Sequence, residues 1–295
     1  MRFRILTTTL LLLFLNAASQ AGVFDSRYPS ARATAMSEAL VSVPGDFWAP
    51  YINPASLAGL NNWQVGSSVQ RLFNQPFLQN AFFGALMPLP SRFGTLALNF
   101  EFFGVRYEGN TLSQENTFTL SHGFFLLNDL HSYLSVGYNL KYYYWDLGRS
   151  VEDRNLGAAG AFGFDVGLQA SLYHRIFAGV YAYNLNAPTL GNRVKHDLPQ
   201  RIVVGVGYRP MTNVLTTLSL DKTVGFDTHA AAGIEFWPVR WLALRAGAMS
   251  TPNRVSAGIG LKFKGLMLDY SFQNHPVLPE THKIGIIYQI GGANQ

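Results

Sequence analysis

The sequence predicts an all-β fold, a transmembrane antiparallel β-barrel of about fourteen strands with an N-terminal segment packed in its lumen. Three observations lead there. From about Thr95 onward the chain repeats one unit, a strand of roughly ten residues with one apolar face and one small or polar face, then a turn. No helical connections interrupt the series, and beyond the N-terminus no apolar run reaches the ~18 residues of a spanning helix. Charged residues make up only 13% of the chain. That is too few to coat a soluble domain of this size, but it suits a barrel whose outside faces lipid.

The elements follow in order. Residues 1–21 read as a secretory signal. Arg2 and Arg4 give a positive start, Ile5 to Leu15 an apolar core, and Ser19-Gln20-Ala21 a small-x-small cleavage site, so the mature chain begins at Gly22. Residues 22–62 lack period-2 alternation. The Ala-rich run Ser30 to Leu40 suggests a short helix ending before Pro44-Gly45, and Asn53-Pro54-Ala55 is a turn signal. Small side chains let this segment pack closely against barrel walls, so it is read as a hatch. A loose leader is the alternative.

Residues 63–295 supply the barrel. Strands are expected near 63–72, 78–89, 94–107, 113–126, 132–145, 159–172, 176–185, 199–208, 212–222, 227–237, 241–250, 253–263, 265–274 and 280–290. The faces separate cleanly. Leu96, Leu98, Phe100 and Phe102 oppose Ala97, Asn99 and Glu101. Leu134, Val136, Tyr138 and Leu140 oppose Ser135, Gly137, Asn139 and Lys141. An Arg or Lys at the lipid midplane costs ~2–4 kcal/mol, so the charged faces belong to the lumen. Trp145, Trp237 and Trp241 fall near strand ends, where aromatic girdles form. Connections such as 90–92, 127–129, 173–175 and 209–211 are short. Those at 146–158, 186–198 and 273–280 are longer and are expected on the outer side.

Composition excludes several functions. The chain has no cysteine, so strand closure rather than disulfides must hold it. The net charge of +5 comes without basic runs, which argues against nucleic-acid partners. No GxSxG, HExxH or phosphate-loop motif occurs. The seven histidines (122, 131, 174, 196, 229, 275 and 282) have no paired ligand spacing. No enzyme, metal or cofactor is therefore expected. Two luminal constellations remain. Arg201, Asp221, Glu235, Arg245, Arg254, Lys262, Asp269 and Lys283 carry both signs. They read either as an ion-pair network bracing the hatch or as a funnel in which Arg201, Arg245 and Arg254 receive a carboxylate. Phe103, Tyr133, Tyr143, Phe177, Tyr181 and Tyr183 share luminal parity, and either pack on the hatch or line an apolar pocket.

Several stretches resemble the PorV/PorQ family of outer-membrane proteins, which is related to FadL-type transporters. The N-terminal residues Ala31-Arg32-Ala33, Met36, Ala39, Asp46 and Tyr51 to Ala58 are similar to that family's hatch signature. Where the family usually carries Gly-Met-Gly-Gly-Ala, this chain reads Ala35-Met36-Ser37-Glu38-Ala39. Phe164 to Leu168, Asn184-Leu185, Leu198 to Arg201, Val204 to Tyr208, Gly233 to Phe236, Leu244 to Gly247, Gly258 to Leu261 and Leu268 to Tyr270 continue the likeness over about 22–290. The resemblance implies a FadL-like barrel in the outer membrane of a diderm bacterium, with Arg32, Met36, Asn53, Pro54 and Ala55 in the hatch. It implies outer-membrane lipids as surroundings and either secreted cargo and secretion machinery or a lipophilic ligand as partner. A monomeric barrel serving export or passage of molecules is the first reading. A FadL-type transporter of hydrophobic small molecules is the alternative, and a structural barrel without conductance the third.

Overall fold

A computed structural model of the chain describes residues 24, 27–90, 93–150, 154–191 and 195–291. The expected signal segment and the Gly22 start lie outside the described residues. Fourteen antiparallel strands close into one barrel. They are β1 (Trp63–Arg71), β2 (Leu78–Pro88), β3 (Thr95–Tyr107), β4 (Asn110–Asn128), β5 (Ser132–Asp146), β6 (Ala158–Leu172), β7 (Ile176–Tyr183), β10 (Arg201–Met211), β11 (Val214–Thr223), β12 (His229–Val239), β13 (Leu242–Met249), β14 (Arg254–Phe263), β15 (Leu266–Gln273) and β16 (Thr281–Ile290). A two-stranded ribbon, β8 (Thr189–Leu190) with β9 (His196–Asp197), stands apart in the β7–β10 connection. The seam pairs β1 with β16, from Trp63↔Ile290 to Arg71↔His282. Closure leaves no free sheet edge, the condition for strands to cross lipid.

Alternation in the sequence becomes the two faces of the wall. On β3, Ala97 is buried while its neighbour Leu98 is 63% exposed. On β5, Tyr133, Ser135, Asn139, Lys141 and Tyr143 are buried, while Leu134, Leu140 and Tyr142 are exposed. Exposed Val, Leu, Ile and Phe continue around the outside on the remaining strands. In water such a surface would be untenable, whereas in a bilayer it is the solvated face.

Two expectations need correction. Trp145 and Trp237 do not join a girdle. Trp145 donates from Nε1 to Ser113 Oγ at 2.9 Å and packs beside Tyr143, and Trp237 lies 6.0 Å from the Arg245 guanidinium. Trp145 shares the parity of Tyr143, and Trp237 that of Glu235, so strand alternation turns both inward. Trp241 and Trp63 are the exposed ones. The Ala-rich helix is short, as expected, and spans Ala31–Ala35. Ser30 Oγ caps it by accepting from Ala33 N, and left-handed Ser37 (φ 49°) and Glu38 (φ 68°) end it well before Pro44. Residues 209–211 are strand rather than turn, because a bulge between Tyr208 and Met211 extends β10.

Connections at one end are all short. Those at the other end include 147–157, 184–200 and 274–280, the longer ones expected from the sequence.

Candidate functional site in the barrel lumen

Most of the described residues before β1 are buried against the inner wall. Two short helices, Ala31–Ala35 and Ala49–Ile52, and a 3-10 turn, Pro54–Gly59, carry most of the contacts. Glycines on the luminal parity make the approach possible. A Cβ at Gly137 would lie 2.2 Å from the Pro54 carbonyl carbon and 2.4 Å from Ala55 N. A Cβ at Gly179 would lie 2.1 Å from Val41 O. Only glycine admits backbone so close to backbone.

Asn53 anchors this region and is fully buried. Its Nδ2 donates to Val41 O at 2.8 Å and to Leu168 O at 3.0 Å, while Oδ1 accepts from Ala55 N at 3.1 Å. Pro54 and Ala55 follow as the backbone that touches Gly137. Met36 is buried, with its Cβ against Gly233 and its backbone against Gly247. Ser37 and Glu38 adopt the left-handed conformation that glycine takes without strain. These are the two positions at which the resembled hatch signature carries glycine. Ser37 Oγ lies 3.1 Å from Ser256 Oγ.

The luminal charges do not form one network. Arg245 on β13 donates from Nε to Glu235 at 2.7 Å and from Nη1 to Asp269 at 2.5 Å. Arg32 donates to both oxygens of the same Glu235 at 2.8 Å and to Asp46 at 3.2 Å. Arg32, Glu235, Arg245 and Asp269 are thus brought together as expected, and Asp46 joins them. Gly260, opposite Asp269 in the register, leaves room for the guanidinium. Arg201 belongs elsewhere. It bonds the Tyr28 hydroxyl and lies 3.6 Å from Asp221. Arg254 is also separate, with no carboxylate within 4.0 Å among the described residues. The reason is height. Arg245 pairs with Gly258, four residues along β14 from Arg254, or about 13 Å of strand.

Sequence reasoning missed two further clusters. Arg27 bridges Glu101 at 2.8 Å and Glu115 at 2.6 Å, and Phe24 N also donates to Glu115. Lys141 meets Asp165 at 2.6 Å, with Tyr181 donating to the same carboxylate at 2.7 Å. Luminal parity had marked Glu101, Lys141 and Asp165 as inward. Arg27 lies outside any strand and offered no such signal. Lys283 bonds Tyr28 O and Thr34 Oγ1, which ties the segment to β16.

Most of the predicted luminal aromatics pack, while Phe103 lines a cavity. Tyr143 lies edge-on to Phe24 at 4.9 Å, Tyr181 packs on Val41, and Phe177 joins the cluster of Met36, Leu40 and Trp48. Two larger cavities lie among the described luminal residues. One of about 280 Å³, at the long-loop end, is lined by Leu72, Phe73, Phe103, Arg254, His275 and Lys283 among others. The other, of about 340 Å³ at the short-turn end, is lined by Arg32, Phe47, Trp237, Met267, Asp269 and Ile287 among others. Apolar concavities of about 350 and 580 Å³ also occur, but their Leu168, Val180, Leu98 and Phe162 linings are outward-facing, so they belong to the lipid side. In the 274–280 loop, His275 Nδ1 accepts from Val277 N at 3.2 Å and Leu278 N at 3.0 Å. Partial burial, and then nearby Arg254, hold its imidazole below the ordinary histidine pKa.

No protein-family model and no curated protein matches the chain. Solved structures do match in fold. The toluene transporter TodX of Pseudomonas putida superposes with a TM-score of 0.59 at 13% identity, over 91% of this chain and 99% of that one. The toluene transporter TbuX of Ralstonia pickettii gives 0.60 at 9% identity, over 90% and 99%. A Pseudomonas aeruginosa FadL homologue gives 0.58 at 11% identity, over 88% and 98%. The fold expectation of a FadL-like barrel therefore stands. The finer likeness to PorV/PorQ finds no counterpart among these structures.

Proposed function

We propose that this chain is an outer-membrane channel of FadL type that passes hydrophobic small molecules, without enzymatic chemistry. In this reading residues 22–62 act as its hatch, and Arg32, Met36, Asn53, Pro54 and Ala55 hold the hatch to the wall. The observation that carries the reading is the division of the lumen. An N-terminal segment bonded to the inner wall separates a cavity at the long-loop end from one at the short-turn end, and each is part apolar. The fold shared with two toluene transporters and a FadL homologue supports the same reading. Protein export draws no support from those neighbours. Compact loops also offer little surface for docking secreted cargo or secretion machinery.

The test is uptake by lipopolysaccharide-bearing cells with and without the protein, using labelled toluene and a labelled long-chain fatty acid. Faster accumulation of either compound is expected in the expressing cells. Equal rates for both would remove the transport reading.

A further inference from the structure

We infer that the short-turn rim of the barrel is a collar that binds the phosphate headgroups of anionic glycerophospholipids. At each of the six connections at this end a large apolar residue is more than half exposed: Phe93, Leu130, Tyr173 and Trp241 within the described parts of four, and Met211 and Phe263 as the last strand residues before the other two. Turns bathed in water would not repeat that feature around a whole perimeter, because exposed apolar groups gain nothing there. Side chains of this kind rest at the boundary between acyl chains and headgroups.

Cations accompany them. Arg175 follows Tyr173 by two residues, Arg240 precedes Trp241, and Lys264 follows Phe263, with its ammonium 5.3 Å from that ring. All three are exposed, and among the described residues none has a carboxylate within 4.0 Å. The only acid in these connections is Asp129. Each aromatic places its neighbouring cation at headgroup depth, where an anionic phosphate supplies the missing counter-charge. The cations sit singly on separate turns. That spacing fits the single phosphate of a glycerophospholipid better than a doubly phosphorylated glycolipid, which would call for clustered cations. An encircling arrangement also fits a lipid annulus better than a protein partner, which would occupy one sector.

The test is native mass spectrometry of the purified barrel given equimolar phosphatidylglycerol and phosphatidylcholine. Its comparison is the triple variant Arg175→Gln/Arg240→Gln/Lys264→Gln. The wild type should retain phosphatidylglycerol preferentially, and the preference should fall by roughly fivefold for each cation removed. It should also weaken as salt rises. Heat-modifiable migration checks that the variant is folded. If it is not, Arg240→Gln alone and the salt series on the wild type carry the test. No preference in the wild type, an undiminished preference in the variants, preferential retention of lipid A, or a co-purifying protein on the rim in place of lipid would each overturn the proposal.

Discussion

Replacing Arg245 by alanine measures how dry the barrel interior is. The Arg245 side chain is fully buried and holds two carboxylates, Glu235 and Asp269. Glu235 would keep both bonds from Arg32. Asp269 has no other ion-pair partner among the described residues, so the substitution strands one buried negative charge. Stranding a buried charge costs about 3–5 kcal/mol. Asp269 borders the 340 Å³ cavity, where water can reach it, so the low end of that range, about 3 kcal/mol, is expected. Urea unfolding in lipid vesicles, followed by tryptophan fluorescence, reads the change, with Trp237 close to the site. The double variant Arg245→Ala/Asp269→Asn removes the stranded charge as well and should recover most of the loss. A wet, solvated pair would instead lose about 1 kcal/mol or less. A loss that small, or a double variant no more stable than the single one, would refute the reasoning.

Three other predictions address the segment and the loops. Gly137→Val should drive the Pro54–Ala55 backbone off the wall and raise ion conductance in planar bilayers, while heat-modifiable migration persists. Unchanged conductance would mean the segment does not obstruct the lumen. Ser37→Gly should leave thermal stability unchanged or higher by up to about 1 kcal/mol, because relief of the left-handed backbone offsets the lost Ser256 contact, and a clear drop in melting temperature would contradict this. Protonating His275 removes the acceptor for the Val277 and Leu278 amides. With its pKa depressed in the folded state, the contacts are complete above about pH 6.5 and are lost as pH falls through the lower folded value. Amide exchange at Val277 and Leu278, corrected for intrinsic rate, should accelerate over that window, and His275→Phe should abolish the change.

How much was legible follows from which residues obey a period. Strand alternation is a local rule, so all fourteen strands and the inward placement of Glu101, Asn139, Lys141, Asp165, Glu235 and Asp269 could be read directly. The same rule turns Trp145 and Trp237 inward, because parity decides which face a residue takes even near a strand end. Pairing across the lumen depends on register and height, which the sequence leaves open. That is why Arg201 and Arg254 were grouped with Arg245, although each sits at another level. The N-terminal segment has no period. Its helix length and the partners of Arg27, Tyr28 and Asp46 emerge only once the wall surrounds them. The luminal glycines were visible as small residues on the polar face, yet nothing local showed that they make room for backbone rather than for side chains.

The bonds that Lys283 donates to Tyr28 O and Thr34 Oγ1 join residues 255 and 249 positions apart in the chain. This bears on the order of assembly. The segment precedes the first strand but is bonded to the last, and it also touches β12, β13 and β14. A barrel that had already zipped β1 to β16 would have to thread this chain in through a finished ring. The seam from Trp63↔Ile290 to Arg71↔His282 is therefore the natural final event, made after residues 27–60 are seated. Contacts of such long sequence separation form slowly. Until they do, the half-curled sheet presents two open edges, which leaves it dependent on whatever keeps those edges from pairing with other chains.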